Sequence, residues 1–113
     1  MLQLNIQNET ATLKAVILGT AKSLGAIPKP EDCYDPKSLQ HVLKGTYPKE
    51  IDMIAEMEAV AAIFKKYDIQ VFRPDILENY NQIFTRDIGF VIEDKLIKAN
   101  ILPDRENEYL AIQ

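Results

Sequence analysis

An arginine and an aspartate stand side by side at Arg86-Asp87, where a polar segment leads into the apolar run Gly89 to Ile92. Two interpretations of this pair fit the sequence. The simpler one is a structural ion pair between the two neighbours. In the other, Asp87 presents its carboxylate to a cationic ligand. A planar guanidinium is the cation that a carboxylate binds best, through two parallel charge-assisted hydrogen bonds.

The chain has one cysteine, Cys33, and one histidine, His41, as candidates for nucleophilic or acid–base chemistry. The acidic residues around Cys33 disfavour the thiolate form that a nucleophile requires, so we interpret it as an inert loop thiol. His41 lies in an irregular region, and a partly exposed histidine fits it better than a catalytic base. A single cysteine permits neither an internal disulfide nor a multi-cysteine metal site. The sequence also has no P-loop, dinucleotide-binding turn or His-Glu-x-x-His motif, and we expect no metal and no cofactor.

The region around Asp87 resembles the signature of the arginine deiminases, glycine amidinotransferases and dimethylarginine dimethylaminohydrolases. The residues that carry this resemblance are Asn81, Phe84-Thr85-Arg86-Asp87, the apolar strand Gly89 to Ile92, the Asp94-Lys95 turn, the strand Leu96 to Ala99, and Arg105 with Glu108. The opening is similar too, since Asn8-Glu9 followed by Leu13 to Gly19 resembles a first family strand that ends in a glycine.

The resemblance implies an α/β fold, a propeller-like (pentein-like) arrangement of five αβ units around a central active site, of which this chain would supply about two. It also implies that Asp87 holds the guanidinium of the substrate, while Asn81 and Arg105 lie near the amino-acid end of the ligand. The match of Asn81 rests on its position six residues before Asp87. Arg86 is expected to be structural, orienting the strand and pairing with a neighbouring acid.

The reaction that the resemblance implies uses a cysteine thiolate to attack the guanidinium carbon and a histidine as acid and base. Those residues would lie downstream, and Cys33 and His41 match neither position. We therefore expect residues 1–113 to be the N-terminal portion of a single domain, cut off at Gln113, from an enzyme that deiminates, hydrolyses or transfers an amidino group. The alternative is a small module that binds a guanidine or a protein partner without catalysis.

The hydrophobic pattern predicts the elements that must position these residues. The predicted helices are a long one from about Lys49 to Tyr67, a short terminal one capped by Asp104, and a single turn near Ser38 to Leu43 within the otherwise irregular region Thr20 to Pro48. The predicted strands are Leu2 to Ile6, Leu13 to Leu18 with both faces covered, Ile69 to Phe72, a brief piece at Ile83 to Phe84, and a hairpin of Gly89 to Ile92 with Leu96 to Ala99.

Charge and hydropathy exclude several partners. The formal net charge of -4 and the pI near 5.0 disfavour binding to a phosphate backbone, so we expect no nucleic acid. The apolar runs fall far short of the roughly 20 residues that cross a bilayer, and the N-terminus does not resemble a secretory signal. We expect a cytoplasmic protein that binds a small guanidine and associates with further copies through exposed strand edges.

Overall fold

In the computed structural model, which describes residues 2–113, helices and short strands follow one another along the whole chain. The strands are β1 (Ala15–Ile17), β2 (Gln70–Phe72), β3 (Gly89–Ile92) and β4 (Lys95–Lys98). The α-helices are α1 (Pro36–Lys44), α2 (Glu50–Lys66) and α3 (Glu106–Leu110). Short 3-10 turns lie at Pro30–Asp32, Thr85–Asp87 and Pro103–Arg105.

Helix α2 confirms the long helix that the sequence predicted, with one residue fewer at each end. Acidic residues occupy its first turn and lysines its last turn, which suits the helix dipole. Ala61 is buried on the face that packs against the rest of the chain. The helix ends where the Phe64 carbonyl accepts from the Ile69 amide at 3.0 Å, and the chain turns at Asp68, whose φ is 58°. It then passes directly into β2.

Strands β1 and β2 pair in parallel, with Val16 opposite Val71, and the two larger helices lie in the connection between them. The predicted positions of both strands are confirmed. The prediction that β1 is covered on both faces is wrong, because its residues are only half-buried. The reason is that the sheet contains just these two strands, so less of each strand is enclosed.

The hairpin of β3 and β4 is also confirmed, with β4 beginning one residue earlier than expected. Glu93 takes the turn with a positive φ of 54°. Its backbone exchanges hydrogen bonds of 2.9 and 2.8 Å with Ile6. The predicted strand from Leu2 to Ile6 is wrong, because the hairpin turn offers a partner to Ile6 alone and the pairing is a single bridge.

Three other local predictions are corrected. The helical turn near Ser38 to Leu43 is a complete helix, α1, because Asp35 caps its start and Gly45 closes its end at a φ of 68°. The extended piece at Ile83 to Phe84 is absent from the described chain, because only Gln82 pairs, with Thr20. Asp104 does not cap a helix, because it lies inside a 3-10 turn and its carboxylate accepts from the Tyr34 hydroxyl instead.

The chain thus mixes helices with two small two-stranded sheets within residues 2–113. The propeller-like arrangement of αβ units stays a prediction. Helix α2 leaves large apolar side chains exposed, among them Ile51, Val60 and Ile63. Association of copies through exposed surface also stays a prediction.

The cap of α1 makes a pH-dependent contribution to stability. The Asp35 carboxylate accepts from the amide and hydroxyl of Ser38, at 2.9 and 2.6 Å, and these bonds hold its pKa below the ordinary value of 3.8. Because the pKa of Asp35 is lower in the folded chain than in the unfolded one, the cap stabilises the fold at pH values above the ordinary pKa of 3.8. This stabilisation is lost as the pH falls through the pKa that Asp35 has in the folded chain. We expect Asp35→Ala to lower the melting temperature at pH 7, as measured by circular dichroism. The difference in melting temperature between the variant and the parent should shrink near pH 3. An equal difference at both pH values would contradict a charged cap.

Candidate functional site

A cavity of about 770 Å³ lies between the loop that precedes α1, the segment that leads into β3, and the start of α3. Asn81, Asp87 and Arg105, the three residues expected to bind substrate, all line it. Its volume lies in the range of small-molecule sites, roughly 300 to 1,000 Å³. The structure therefore brings the three together around a space large enough for a ligand.

The Thr85–Asp87 turn places Asp87 at the cavity wall. The Asp87 amide donates to the Phe84 carbonyl at 3.1 Å, which closes the turn. The Thr85 hydroxyl donates to the Ile17 carbonyl at 3.2 Å and so attaches the turn to the end of β1. Ile88, the next residue, is fully buried. The Asp87 carboxylate is thus presented from a turn that is anchored on both sides.

Gln82 holds the segment that carries Asn81. Its side chain is fully buried, donating to the Asp75 carbonyl at 2.7 Å and accepting from the Leu77 amide at 2.8 Å. Its own carbonyl accepts from the Thr20 amide at 3.0 Å. Asn81 itself remains exposed at the cavity. The sequence analysis missed Gln82, and a lone glutamine between Asn81 and Ile83 gives no signal of burial.

Arg105 is held by Glu108, which lies one helical turn further on. The Arg105 Nε and Nη2 atoms donate to the two Glu108 carboxylate oxygens at 2.8 and 3.0 Å, and the Glu108 side chain is only 3% exposed. These bonds, and then the contact with Asp87, raise the pKa of Arg105 above its ordinary value although burial opposes the shift. The guanidinium is therefore permanently charged. The sequence analysis named the two residues together only as part of the family resemblance.

Asp87 contacts two arginines of its own chain. Arg105 Nη1 donates to Asp87 Oδ2 at 3.2 Å, while Arg86 Nε lies 3.5 Å from Asp87 Oδ1. The Arg86 side chain is 90% exposed, and an ion pair in such surroundings is weak. Arg86 lies beside the neighbouring acid in solvent, and its structural role stays a prediction. The pair that matters for the cavity is Arg105 with Asp87.

The opposite wall of the cavity comes from the loop before α1. The Tyr34 hydroxyl donates to Asp104 Oδ2 at 3.0 Å, which joins this loop to the turn before α3. That hydrogen bond is the main cause of the raised pKa of Tyr34. Burial is the main cause of the raised pKa of Tyr47, another residue of this wall. Tyr80 and Phe84 complete an aromatic lining.

Cys33 also lines the cavity, whereas His41 lies on the exposed surface of α1. The Cys33 thiol donates to the Lys29 carbonyl at 3.5 Å. The His41 Nδ1 atom lies 2.8 Å from the Thr46 hydroxyl. Each residue thus has a partner within its own segment, and the two do not form a thiol–imidazole pair.

No protein-family model, curated protein or solved structure matches this chain at a significant level. The family resemblance of the Asn81 to Arg105 region therefore stays a prediction. Across residues 2–113, no group of three or more His, Cys, Asp or Glu side chains is arranged to hold a metal ion. In the same range, no helix combines the length and apolar character needed to span a bilayer.

Proposed function

We propose that this chain forms the guanidinium-binding part of an enzyme that acts on the guanidinium carbon of arginine or a related guanidine, by deimination, hydrolysis or amidino transfer. One observation carries the proposal. Asn81 and Asp87 from one segment, and Arg105 from a later one, are singled out by the sequence signature and line the same cavity. Only folding brings Arg105 to Asp87, because the two are separated by 18 positions in the chain.

The chemistry of the wall supports a guanidinium ligand. Asp87 already accepts a hydrogen bond from one guanidinium, that of Arg105, and its other oxygen faces only the solvent-exposed Arg86. A ligand guanidinium could bind that second oxygen. Aromatic residues such as Tyr80 and Phe84 line the cavity, and their faces attract planar cations.

In this proposal the chain recognises the substrate and does not perform the covalent step. Neither Cys33 nor His41 takes the role of the thiolate or of the acid–base histidine in the implied mechanism. The site requires no cofactor and no nucleic acid. The cytoplasm is the compartment we propose, which fits a single cysteine kept as a free thiol.

Substituting Asp87 by asparagine tests the proposal. We expect Asp87→Asn to keep the fold and to lose roughly 10- to 100-fold in affinity for methylguanidine, since a hydrogen bond to a charged group contributes about 1.5 to 3 kcal/mol. Titration calorimetry with methylguanidine measures the loss. Asp94→Asn is the matched control, because it removes the same charge from the hairpin turn, where the side chain is 74% exposed. No binding by the parent chain, or an equal loss in both variants, would contradict the proposal.

A second candidate is a guanidine-binding or protein-interaction module without catalysis. The separate local partners of Cys33 and His41, which leave no nucleophile and base paired within the described residues, fit this candidate as well as the first. The intact mass of the protein from its natural source separates the two candidates. A mass well above 12.9 kDa supports the enzyme, and a mass equal to it supports the module.

A further inference from the structure

One side of helix α2 is apolar and uncovered. Apolar residues occur on every side of this helix, which is typical of a helix enclosed on all sides. Within residues 2–113, however, only one side packs against the rest of the chain, and Ala61 is its single buried residue. The residues on the opposite side recur at steps of one, three and four, and all are exposed. They form what we call the α2 outer face: Asp52, Ala55, Glu56, Ala59, Ile63 and Lys66.

The middle of the α2 outer face has the shape of a helix-packing surface. Ile63 is 58% exposed, and the neighbouring Val60 is 40% exposed. Ala59 and Ala55 lie one and two turns before Ile63 and have small side chains. A second helix can approach closely over these alanines, and a large apolar side chain on that helix would fill the space above them. The surface therefore suits a helix that carries its own protruding apolar residue.

The two ends of the α2 outer face carry opposite charges. Asp52 lies in the first turn of the helix and Lys66 in the last. Within residues 2–113 neither side chain forms a salt bridge. They cannot reach each other, because four helical turns, roughly 21 Å, separate them. A partner that satisfies both must place a base opposite Asp52 and an acid opposite Lys66.

We propose that the α2 outer face binds the same face of a second copy of this chain, with the two α2 helices antiparallel about a two-fold axis near Ala59. In a two-fold pair each contact occurs twice. Asp52 of each copy then lies opposite Lys66 of the other, and Ile63 lies opposite Ala55. A parallel pair would bring Asp52 to Asp52 and Lys66 to Lys66, where like charges repel, and it would also align the helix dipoles unfavourably.

The proposed contact is small and separate from the cavity. It covers one helix face on each copy, so we expect a weak dimer with a dissociation constant on the order of 10 µM. No residue of the α2 outer face lines the cavity that contains Asp87. The inference therefore does not depend on the proposed function.

Sedimentation equilibrium of the intact chain tests the dimer. We expect a monomer–dimer equilibrium that Ile63→Gln weakens at least about tenfold, because the apolar contact is lost twice. Ile76→Gln is the matched control, since this isoleucine is similarly exposed, at 55%, but lies outside α2. A parent chain that stays monomeric at about 300 µM would overturn the inference and leave this face to a different partner. An equal loss in the two variants would also overturn it.

Charge reversal tests the antiparallel orientation at low salt. Lys66→Asp places an acid opposite Asp52 of the other copy, so we expect the dimer to weaken about fivefold. Lys65→Asp is the matched control, because it makes the same change at the same helix end but on a different side of α2.

Adding Asp52→Lys to Lys66→Asp restores opposite charges across an antiparallel pair. We expect the affinity of this double variant to return to within about twofold of the parent, with circular dichroism checking that each variant keeps its helices. A parallel pair would gain nothing from the second substitution. No recovery in the double variant, or an equal loss in Lys65→Asp, would overturn the antiparallel pairing.

Discussion

Gly19→Ala is expected to destabilise the fold by at least about 3 kcal/mol, at the upper end of what an added methyl costs in a packed site. A Cβ at Gly19 would lie 2.1 Å from the Ile83 carbonyl oxygen and 2.4 Å from that of Gln82. Both atoms are backbone, so no side chain can rotate away. The neighbouring segment cannot shift either, because the buried Gln82 fixes it through the Asp75 carbonyl and the Leu77 amide.

Gly45→Ala is the matched control for this prediction. Gly45 has a φ of 68°, so alanine is strained there by about 1 kcal/mol, yet its Cβ would meet nothing within 4 Å. Urea denaturation followed by circular dichroism measures both variants. Because Gln82 and Ile83 lead directly into the Thr85–Asp87 turn that presents Asp87, Gly19→Ala should also weaken methylguanidine binding. A loss of stability no larger than that of Gly45→Ala would contradict the prediction, because it would show that Gln82 and Ile83 can move away from the added Cβ.

The elements with a strong local pattern were predictable from the sequence. Helix α2 and the hairpin of β3 and β4 each carry an apolar pattern that extends over most of the element. The uncertainty in where each element begins and ends is smaller than that length, and both elements were confirmed. For helix α1 the sequence analysis predicted only a single helical turn, which is shorter than the observed helix. Its capping residues, Asp35 at the start and Gly45 at the end, were present in the sequence, and together they define the whole helix.

The errors arose where a distant partner decides the local structure. Asp104 has the right type for a helix cap, but its carboxylate is taken by Tyr34, which lies 70 positions earlier. The alternation from Leu2 to Ile6 is typical of a strand, but a strand also needs a partner of equal length, and the hairpin turn provides only Glu93. Neither the bond from Tyr34 nor the limited pairing at Glu93 can be inferred from the residues that neighbour Asp104 or Ile6 in the sequence.

The sequence analysis named three residues that line the candidate site, and it did not give the contacts among them. Asn81, Asp87 and Arg105 were named from the signature, and all three line the cavity. That the Arg105 guanidinium is shared between Glu108 and Asp87 follows from the position of α3 against the turn before β3, which no local pattern specifies.

Arg105→Met is expected to cost about 3 kcal/mol of unfolding free energy, near the lower end of the range for breaking a buried ion pair. The substitution keeps most of the apolar stem and removes the guanidinium. Glu108, 3% exposed, then stays buried without its partner. The lower end applies because the Arg105 side chain is itself 21% exposed, so water can follow the vacated space towards the carboxylate. Urea denaturation monitored by circular dichroism measures the loss.

Arg86→Met is the matched control, since Arg86 is also an arginine paired with Asp87 but its side chain is 90% exposed. Its ion pair lies in water, so its removal should change stability little. Adding Glu108→Leu to Arg105→Met should recover much of the loss, because no buried charge then remains. If Arg105→Met is as mild as Arg86→Met, the buried Glu108 carboxylate does not depend on Arg105 for its stability, and the account of Arg105 as its partner is wrong.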